Sequence, residues 1–168
     1  MKSENFPKVY LYQGDKNIIN EPTIRIRKYN KEFGPGEYFH NQKSMAARTV
    51  ERYKSPQDRN INAYVYKPEK LEGLNIKIFR TTDDEWIEFV INCLDGVPHN
   101  YDMVEGPALD DQSRYWIMRY RQGRFSKSLI KGQLEEKHPN SQICLLTDKA
   151  LECLSYEYTE ESRYSDYT

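Results

Sequence analysis

The residues of this chain that could do chemistry are scattered, and the most distinctive group is an aromatic pair behind a glycine-rich turn. The run Gly34-Pro35-Gly36 cannot continue a strand ladder or a helix, so it predicts a loop that delivers Tyr38 and Phe39. An aromatic face in such a place could stack on a planar ring of a ligand. The same run is also explained as an ordinary structural turn.

Other reactive residue types show no pattern that assigns a reaction. His40, His99 and His138 lack the spacing of metal ligands, and no serine or cysteine lies in a nucleophile elbow. Asp110 and Asp111 stand at the start of a helical pattern. They could cap the helix N-terminus or act as an acid–base group. The three cysteines lie in apolar segments, which predicts buried thiols and neither a zinc site nor disulfides. They are Cys93, Cys144 and Cys153.

Composition limits the class of protein. The 168 residues are 38% hydrophobic and 30% charged, which suits one domain with a single core. Lys and Arg number 25 against 26 Asp and Glu, so the charge is not that of a dedicated nucleic-acid binder, although a local basic patch stays possible. No signal-like start and no apolar run near the ~20 residues of a membrane span are present. We therefore expect a cytoplasmic protein without a membrane partner.

Hydrophobic periodicity and turn residues predict a mixture of strands and helices. Gly14 with Asp15 predicts a turn that ends the first strand, and Thr82 with Glu85 predicts a reciprocal cap on the clearest helix. The two strands that follow the aromatic loop, at residues 61–66 and 74–79, are expected to form a hairpin. Predicted strands cover residues 8–12, 23–27, 61–66, 74–79, 101–104 and 141–146, and predicted helices cover 41–53, 83–94, 111–122, 127–136 and 148–154.

The order of these elements indicates the fold class. Strands at both ends with helices gathered in the middle predict an α+β fold and argue against a repeating βαβ sheet of the Rossmann type. We expect one domain over residues 1–158, followed by a flexible acidic, tyrosine-rich tail at 159–168.

Three segments occur in an order known from one group of enzymes: Leu11-Tyr12-Gln13-Gly14, the run from Phe33 to Phe39, and Asn140-Ser141-Gln142-Ile143-Cys144. In this order the chain resembles ADP-ribosyltransferases related to diphtheria toxin and the poly-ADP-ribose polymerases. In that group a strand-end His-Gly, a Gly-x-x-Tyr-Phe-type segment and a later strand carrying Glu or a substitute surround the nicotinamide end of NAD.

The resemblance is closer to a family of small, largely uncharacterised bacterial proteins assigned to the same fold. Those proteins share a run like Tyr101-Asp102-Met103-Val104-Glu105-Gly106-Pro107 and a Lys-Ala-Leu helix like that at 149–151, and the match covers roughly residues 8 to 155. It implies an ADP-ribosyltransferase-like split β-sheet core with helices inserted between the strands.

The resemblance also implies NAD as the substrate, without a metal, and it assigns the residues that bind it. Cleavage between nicotinamide and ribose passes through an oxocarbenium-like transition state, and the leaving group is already cationic, so the protein must mainly grip and orient. Tyr38 would stack on nicotinamide, Gln13 and Gln142 would hold ribose hydroxyls, and the backbone of Gly14 would meet the carboxamide. The remaining NAD-binding residues in this assignment are Gly36 and Phe39.

Two positions depart from the parent group. Gln13 stands where His is expected, and the neutral Gln142 stands where Glu is expected, so chain elongation is disfavoured and a single transfer or NAD hydrolysis is favoured. The missing carboxylate could come from Asp102, Asp110 or Asp111, which also suit loops and caps.

Two arginines have two explanations. Arg25 and Arg27 alternate with isoleucines in the predicted strand 23–27, so both arginines lie on one face. They could meet the pyrophosphate of NAD or form a solvated outer face.

These features favour a mono-ADP-ribosyltransferase of the glycosyltransferase type, or an NAD glycohydrolase, with catalytic residues Gln142, Tyr38 and Gln13. The macromolecular acceptor is expected to be protein, because the near-neutral charge disfavours nucleic acid. The alternative is a catalytically inactive ADP-ribosyltransferase-like binding or interaction module, which the replacement of His by Gln13 motivates.

Overall fold

A computed structural model of the chain describes residues 7–137 and 140–163. The predictions made for His138 and for tail residues 164–168 lie outside these residues. Seven strands and five helices confirm the α+β class. The strands are β1 (Tyr10–Asp15), β2 (Glu37–His40), β3 (Asn60–Tyr66), β4 (Ile76–Ile78), β5 (Met103–Pro107), β6 (Ser141–Leu145) and β7 (Leu154–Glu161). The helices are α1 (Lys43–Val50), α2 (Asp84–Leu94), α3 (Asp111–Arg121), α4 (Lys127–Lys137) and α5 (Asp148–Leu151).

The described chain divides into two compact units. The first unit contains residues 7–23, 39–73 and 149–163. Its strands run in the order β2-β1-β3-β7, and each neighbouring pair is antiparallel. Helix α1 buries Ala46, Ala47 and Val50, and the two alanines pack against Ile61 of β3.

The second unit contains residues 24–38 and 74–148. Its strands run in the order β4-β5-β6-β2, with β4 parallel to β5 and β5 antiparallel to β6. Helix α2 contributes Trp86, Ile87 and Val90 to a core that also takes in Ile130 and Leu134 of α4. The apolar spacing that predicted these helices therefore corresponds to the faces they bury.

The strand predicted at 23–27 is wrong. This segment has no ladder partner, and Ile26 is fully exposed where alternation predicted a buried face. The backbone N–H of Arg25 donates instead to a carboxylate oxygen of Glu37, at 3.3 Å. The Glu37 side chain thus accepts the backbone hydrogen bond that a neighbouring strand would otherwise accept.

The predicted hairpin of residues 61–66 and 74–79 is also wrong. Strand β3 pairs with β1 and β7, whereas β4 pairs in parallel with β5. A short helical turn at Pro68–Leu71 redirects the chain between them. The next strand was predicted to end at residue 104, but Gly106 and Pro107 continue β5 and pair with Gln142 and Ser141.

Two strand ends differ from the prediction. Gly14 and Asp15 do not turn but pair with Ile61 and Asn60, so β1 ends later than expected. A side chain at Gly14 would lie 2.3 Å from the carbonyl oxygen of Ala46, which explains the glycine by close packing and not by a turn. Strand β7 continues to Glu161, because residues 159–161 pair with β3, whereas the flexible tail was predicted to begin at 159.

The cap of α2 is Asp83 and not Thr82. The Asp83 carboxylate accepts a hydrogen bond from the backbone N–H of Trp86, at 2.9 Å, and the helix begins at Asp84. A carboxylate one position further along reaches this N–H with the geometry of an N-cap, so the reciprocal pair with Glu85 does not form.

We expect Asp83→Ala to lower the free energy of unfolding by about 1 kcal/mol, because one N–H of the first turn loses its acceptor. Urea unfolding followed by circular dichroism measures this change. Thr82→Val is the matched control and should cost less than Asp83→Ala. The reverse order would contradict the assignment of the cap.

Candidate functional site

Tyr38 is the second residue of β2 and is anchored by its hydroxyl to the loop before it. The hydroxyl donates to the carbonyl oxygen of Gly34, at 2.7 Å, and accepts from the backbone N–H of Phe33, at 3.0 Å. Gly34 has a φ of 99°, in the left-handed region that favours glycine, and this confirms the predicted loop. The phenol is buried, and burial raises its pKa well above the usual value, so Tyr38 stays a neutral aromatic platform.

A lysine covers the face of this ring. The ammonium of Lys31 lies 4.1 Å from the ring centroid of Tyr38, and the guanidinium of Arg27 lies 5.9 Å away. Burial lowers the pKa of Lys31, which means that its charge is held there at a cost in solvation. The ring that was predicted to stack on a cationic nicotinamide thus already contacts a cation of its own chain.

Gln142 projects from β6 onto a buried carboxylate. Its side-chain amide donates to Oε1 of Glu32, at 2.8 Å, and both side chains are about 95% buried. The other oxygen of Glu32 accepts no hydrogen bond within the described residues, and its nearest cation is Arg114, with Nη2 at 3.7 Å. A buried carboxylate with one open oxygen is costly unless something compensates it, so Glu32 marks a place for a donor or a positive charge.

The two arginines that were considered for pyrophosphate hold a second buried carboxylate. Nε of Arg25 donates to Glu37 at 2.9 Å, and Nη2 of Arg27 lies 3.1 Å from the other oxygen of that carboxylate. Arg27 also donates to the carbonyl oxygen of Gly36, at 3.2 Å. Glu37 thus neutralises part of their charge, so they are not simply a solvated outer face, and the pyrophosphate role stays a prediction.

Gly36 is explained by packing. A Cβ at Gly36 would lie 2.5 Å from the carbonyl oxygen of Leu145 and 2.6 Å from Sγ of Cys144, so only glycine lets the loop lie against β6. Burial raises the pKa of the Cys144 thiol far above its usual range, and Cys144 therefore stays protonated and unreactive.

The other predicted site residues belong to the first unit. Gln13 lies in β1, paired with Asn62 of β3, and is 4% exposed. Gly14 follows it in the strand. Phe39 is fully buried, and its ring meets Tyr64 edge-on at 5.7 Å. The structure thus brings Gly36, Tyr38 and Gln142 into one unit, while their companions lie in the other.

The aspartates that could have supplied the missing carboxylate have structural partners. Asp102 accepts from the backbone N–H of Asn75 and from the hydroxyl of Thr147, both at 2.9 Å. Asp110 caps α3 by accepting from the backbone N–H of Ser113, at 2.8 Å, which confirms the cap explanation. Asp111 lies in the first turn of the same helix, where a negative charge favours the helix dipole.

Sequence reasoning missed Glu32 and Lys31. Both directly precede the aromatic loop, and Glu32 is an acidic residue next to an apolar run. Its partner Gln142 lies 110 positions later, so no local pattern could pair them. In the part of the chain described, no group of three or more His, Cys, Asp or Glu could hold a metal ion.

The fold and this cluster define an α+β protein with a buried glutamate–glutamine pair beside a tyrosine platform. The model of a family described as "Protein of unknown function (DUF3990)" matches residues 9–156, and the chain belongs to this family. No curated protein and no solved structure matches the chain. Among the helices of the described residues, none combines the length and the apolar character needed to cross a membrane.

Proposed function

We propose that this protein is an NAD-dependent mono-ADP-ribosyltransferase, able to pass ADP-ribose to a protein acceptor or to water. The observation that carries the proposal is the buried hydrogen bond between Gln142 and Glu32. It supports the proposal because it supplies the negative charge that the glutamine at position 142 lacks.

The chemistry explains why this charge matters. Loss of nicotinamide leaves positive charge on the ribose. A neutral amide can bind a hydroxyl of that ribose but cannot offset the positive charge. Glu32 lies one hydrogen bond behind Gln142, in a buried setting where electrostatic interactions are stronger than in water. In our proposal Gln142 binds the ribose 2'-OH through its amide oxygen, while Glu32 orients the amide and stabilises the developing charge.

Lys31 and Tyr38 support the same function from the side of the leaving group. The Tyr38 ring holds an ammonium against its face at 4.1 Å, which shows that this face stabilises a cation. The nicotinamide ring of NAD is also cationic, so binding would exchange one cation for another on the same ring. The ammonium of Lys31 is suited to move away from the Tyr38 ring, because burial lowers its pKa and its four-carbon side chain is flexible.

Direct binding tests the proposal. We expect millimolar NAD to raise the melting temperature of the wild type by about 2 °C or more, since a ligand that binds only the folded state stabilises it. Tyr38→Leu should lose this shift. Tyr101→Leu is the matched control: it removes a half-buried tyrosine of the same unit and should keep the shift.

Differential scanning fluorimetry measures the melting temperature of each variant with NAD and, as a second ligand, with AMP. A wild type whose melting temperature does not change in millimolar NAD would refute the proposal at its first step. An equal shift in Tyr38→Leu and Tyr101→Leu would show that NAD binds elsewhere.

A second candidate is an inactive binding module of the same fold. Two observations favour it: Gln13 replaces the expected His, and Lys31 covers the ring of Tyr38. Incubation with labelled NAD and cell lysate separates the candidates. Transfer of label that disappears in Tyr38→Ala would exclude the binding module, and label recovered on nucleic acid would change the acceptor class.

A further inference from the structure

A cavity lies in the second unit, and none of its lining residues belongs to the set assigned to NAD. It encloses about 470 Å³, a volume within the range of small-molecule sites. The cavity is lined by the segment Arg80–Asp83 before α2, by Pro107 at the end of β5 and by α4. The lining residues from α4 are Lys131, Leu134 and Glu135.

Thr82 gives this cavity an open polar partner. Its side chain is 5% exposed and lines the cavity, yet its hydroxyl makes no hydrogen bond to another residue of the described chain. The hydroxyl oxygen is not shut off from solvent, so a molecule or water in the cavity can bond to it. With the cap assigned to Asp83, the hydroxyl of Thr82 has no structural task at the start of the helix.

The charges around the cavity select the kind of ligand. Burial raises the pKa of Glu105 against the opposing effect of the nearby Arg80 charge. Arg80 forms no ion pair within 4.0 Å among the described residues, so its guanidinium can bind an oxyanion. Lys131 is already paired with Asp84, at 3.0 Å.

Negative groups are present as well. Asp83 and Glu135 also line the cavity, and Asp83 is engaged in capping α2. Two carboxylates against two cations make the cavity unsuitable for a polyanion, because further negative charge would meet like charge. A single oxyanion group bound by Arg80 and Thr82 brings less negative charge to the two carboxylates than a polyanion would, and it leaves Leu134 and Pro107 for an apolar body.

We propose that this cavity binds a small molecule that carries one terminal oxyanion group, phosphate monoester or carboxylate, on an apolar or aromatic body. The oxyanion accepts from the guanidinium of Arg80 and from the hydroxyl of Thr82. The body packs on Pro107 and Leu134. This site shares no residue with the proposed NAD site, so the failure of one proposal would leave the other standing.

Phenyl phosphate and benzoate are the probes, and benzyl alcohol is the neutral control. Titration followed by NMR should give a dissociation constant of about 1 mM or tighter for at least one of the two anions, with much weaker binding of benzyl alcohol. The anion that binds more tightly shows whether the ligand carries a phosphate monoester or a carboxylate.

Two variants locate the site. Arg80→Gln should weaken the better anion about tenfold or more, because a charge-assisted bond is lost. Arg124→Gln removes an exposed arginine of the same unit and should bind like the wild type. Thr82→Val should weaken binding, and Thr82→Ser, which keeps the hydroxyl, should restore it. Absence of anion binding, or equal weakening in the Arg80 and Arg124 variants, would overturn the proposal.

Discussion

Glu32→Gln is expected to lower the rate of NAD cleavage about 100-fold or more while leaving the fold intact. The amide keeps the shape of the side chain and can still meet Gln142, but it removes the only negative charge that contacts that glutamine among the described residues. Loss of one preorganised electrostatic group at a reacting centre has effects of about this size. Release of free nicotinamide, measured by chromatography, gives the rate.

A matched control separates this effect from a general loss of charge. Glu105 is a half-buried carboxyl of the same unit whose pKa is raised by burial, and Glu105→Gln makes the same chemical change at a residue that has no contact with the Gln142 amide. Its rate should stay within about twofold of the wild type. Equal rates in Glu32→Gln and wild type would remove Glu32 from the mechanism. A preserved NAD-dependent thermal shift in Glu32→Gln would show that binding survived and chemistry did not.

Glu37→Gln should destabilise the protein by about 2–3 kcal/mol. Its carboxylate is 1% exposed and binds both Arg25 and Arg27, which would lose their counter-charge in the variant. The arginines are themselves about a third exposed, so water recovers part of the loss. Urea unfolding measures the change in the free energy of unfolding.

Exposed Glu51 provides the control for this second variant, because Glu51→Gln should change stability by no more than about 0.5 kcal/mol. If Glu37→Gln were equally harmless, the ion pairs with the two arginines would not hold the segment before the aromatic loop. We would then expect that segment to contribute nothing to the position of Tyr38.

Elements with strong local signals were predicted well. The apolar stripe of α2 and the cap of α3 at Asp110 lie where periodicity and capping rules put them, because both depend on residues within one helix. Strand β6 differs by one residue from its prediction. The fold class followed from the order of such elements.

Features that depend on distant partners were not predicted. Strand β4 pairs with β5, and helix α2 lies between these two strands in the chain. The hairpin was predicted because β3 and β4 are neighbours in the sequence, but these two strands do not pair. The segment around Arg25 alternates like a strand, yet a carboxylate from 12 residues further on takes its backbone bond. For the candidate site, Tyr38 and Gln142 were found from the sequence, whereas their neighbours Lys31 and Glu32 needed the folded chain.

The release of nicotinamide from NAD by the purified wild type tests the central claim most directly. NAD labelled in its adenylate half is incubated with the full chain, and the products are separated by chromatography. We predict free nicotinamide together with label in ADP-ribose or on protein, at a rate that falls in Glu32→Gln. Intact NAD after prolonged incubation with protein and lysate would contradict the claim that Glu32 and Gln142 form a working transferase site.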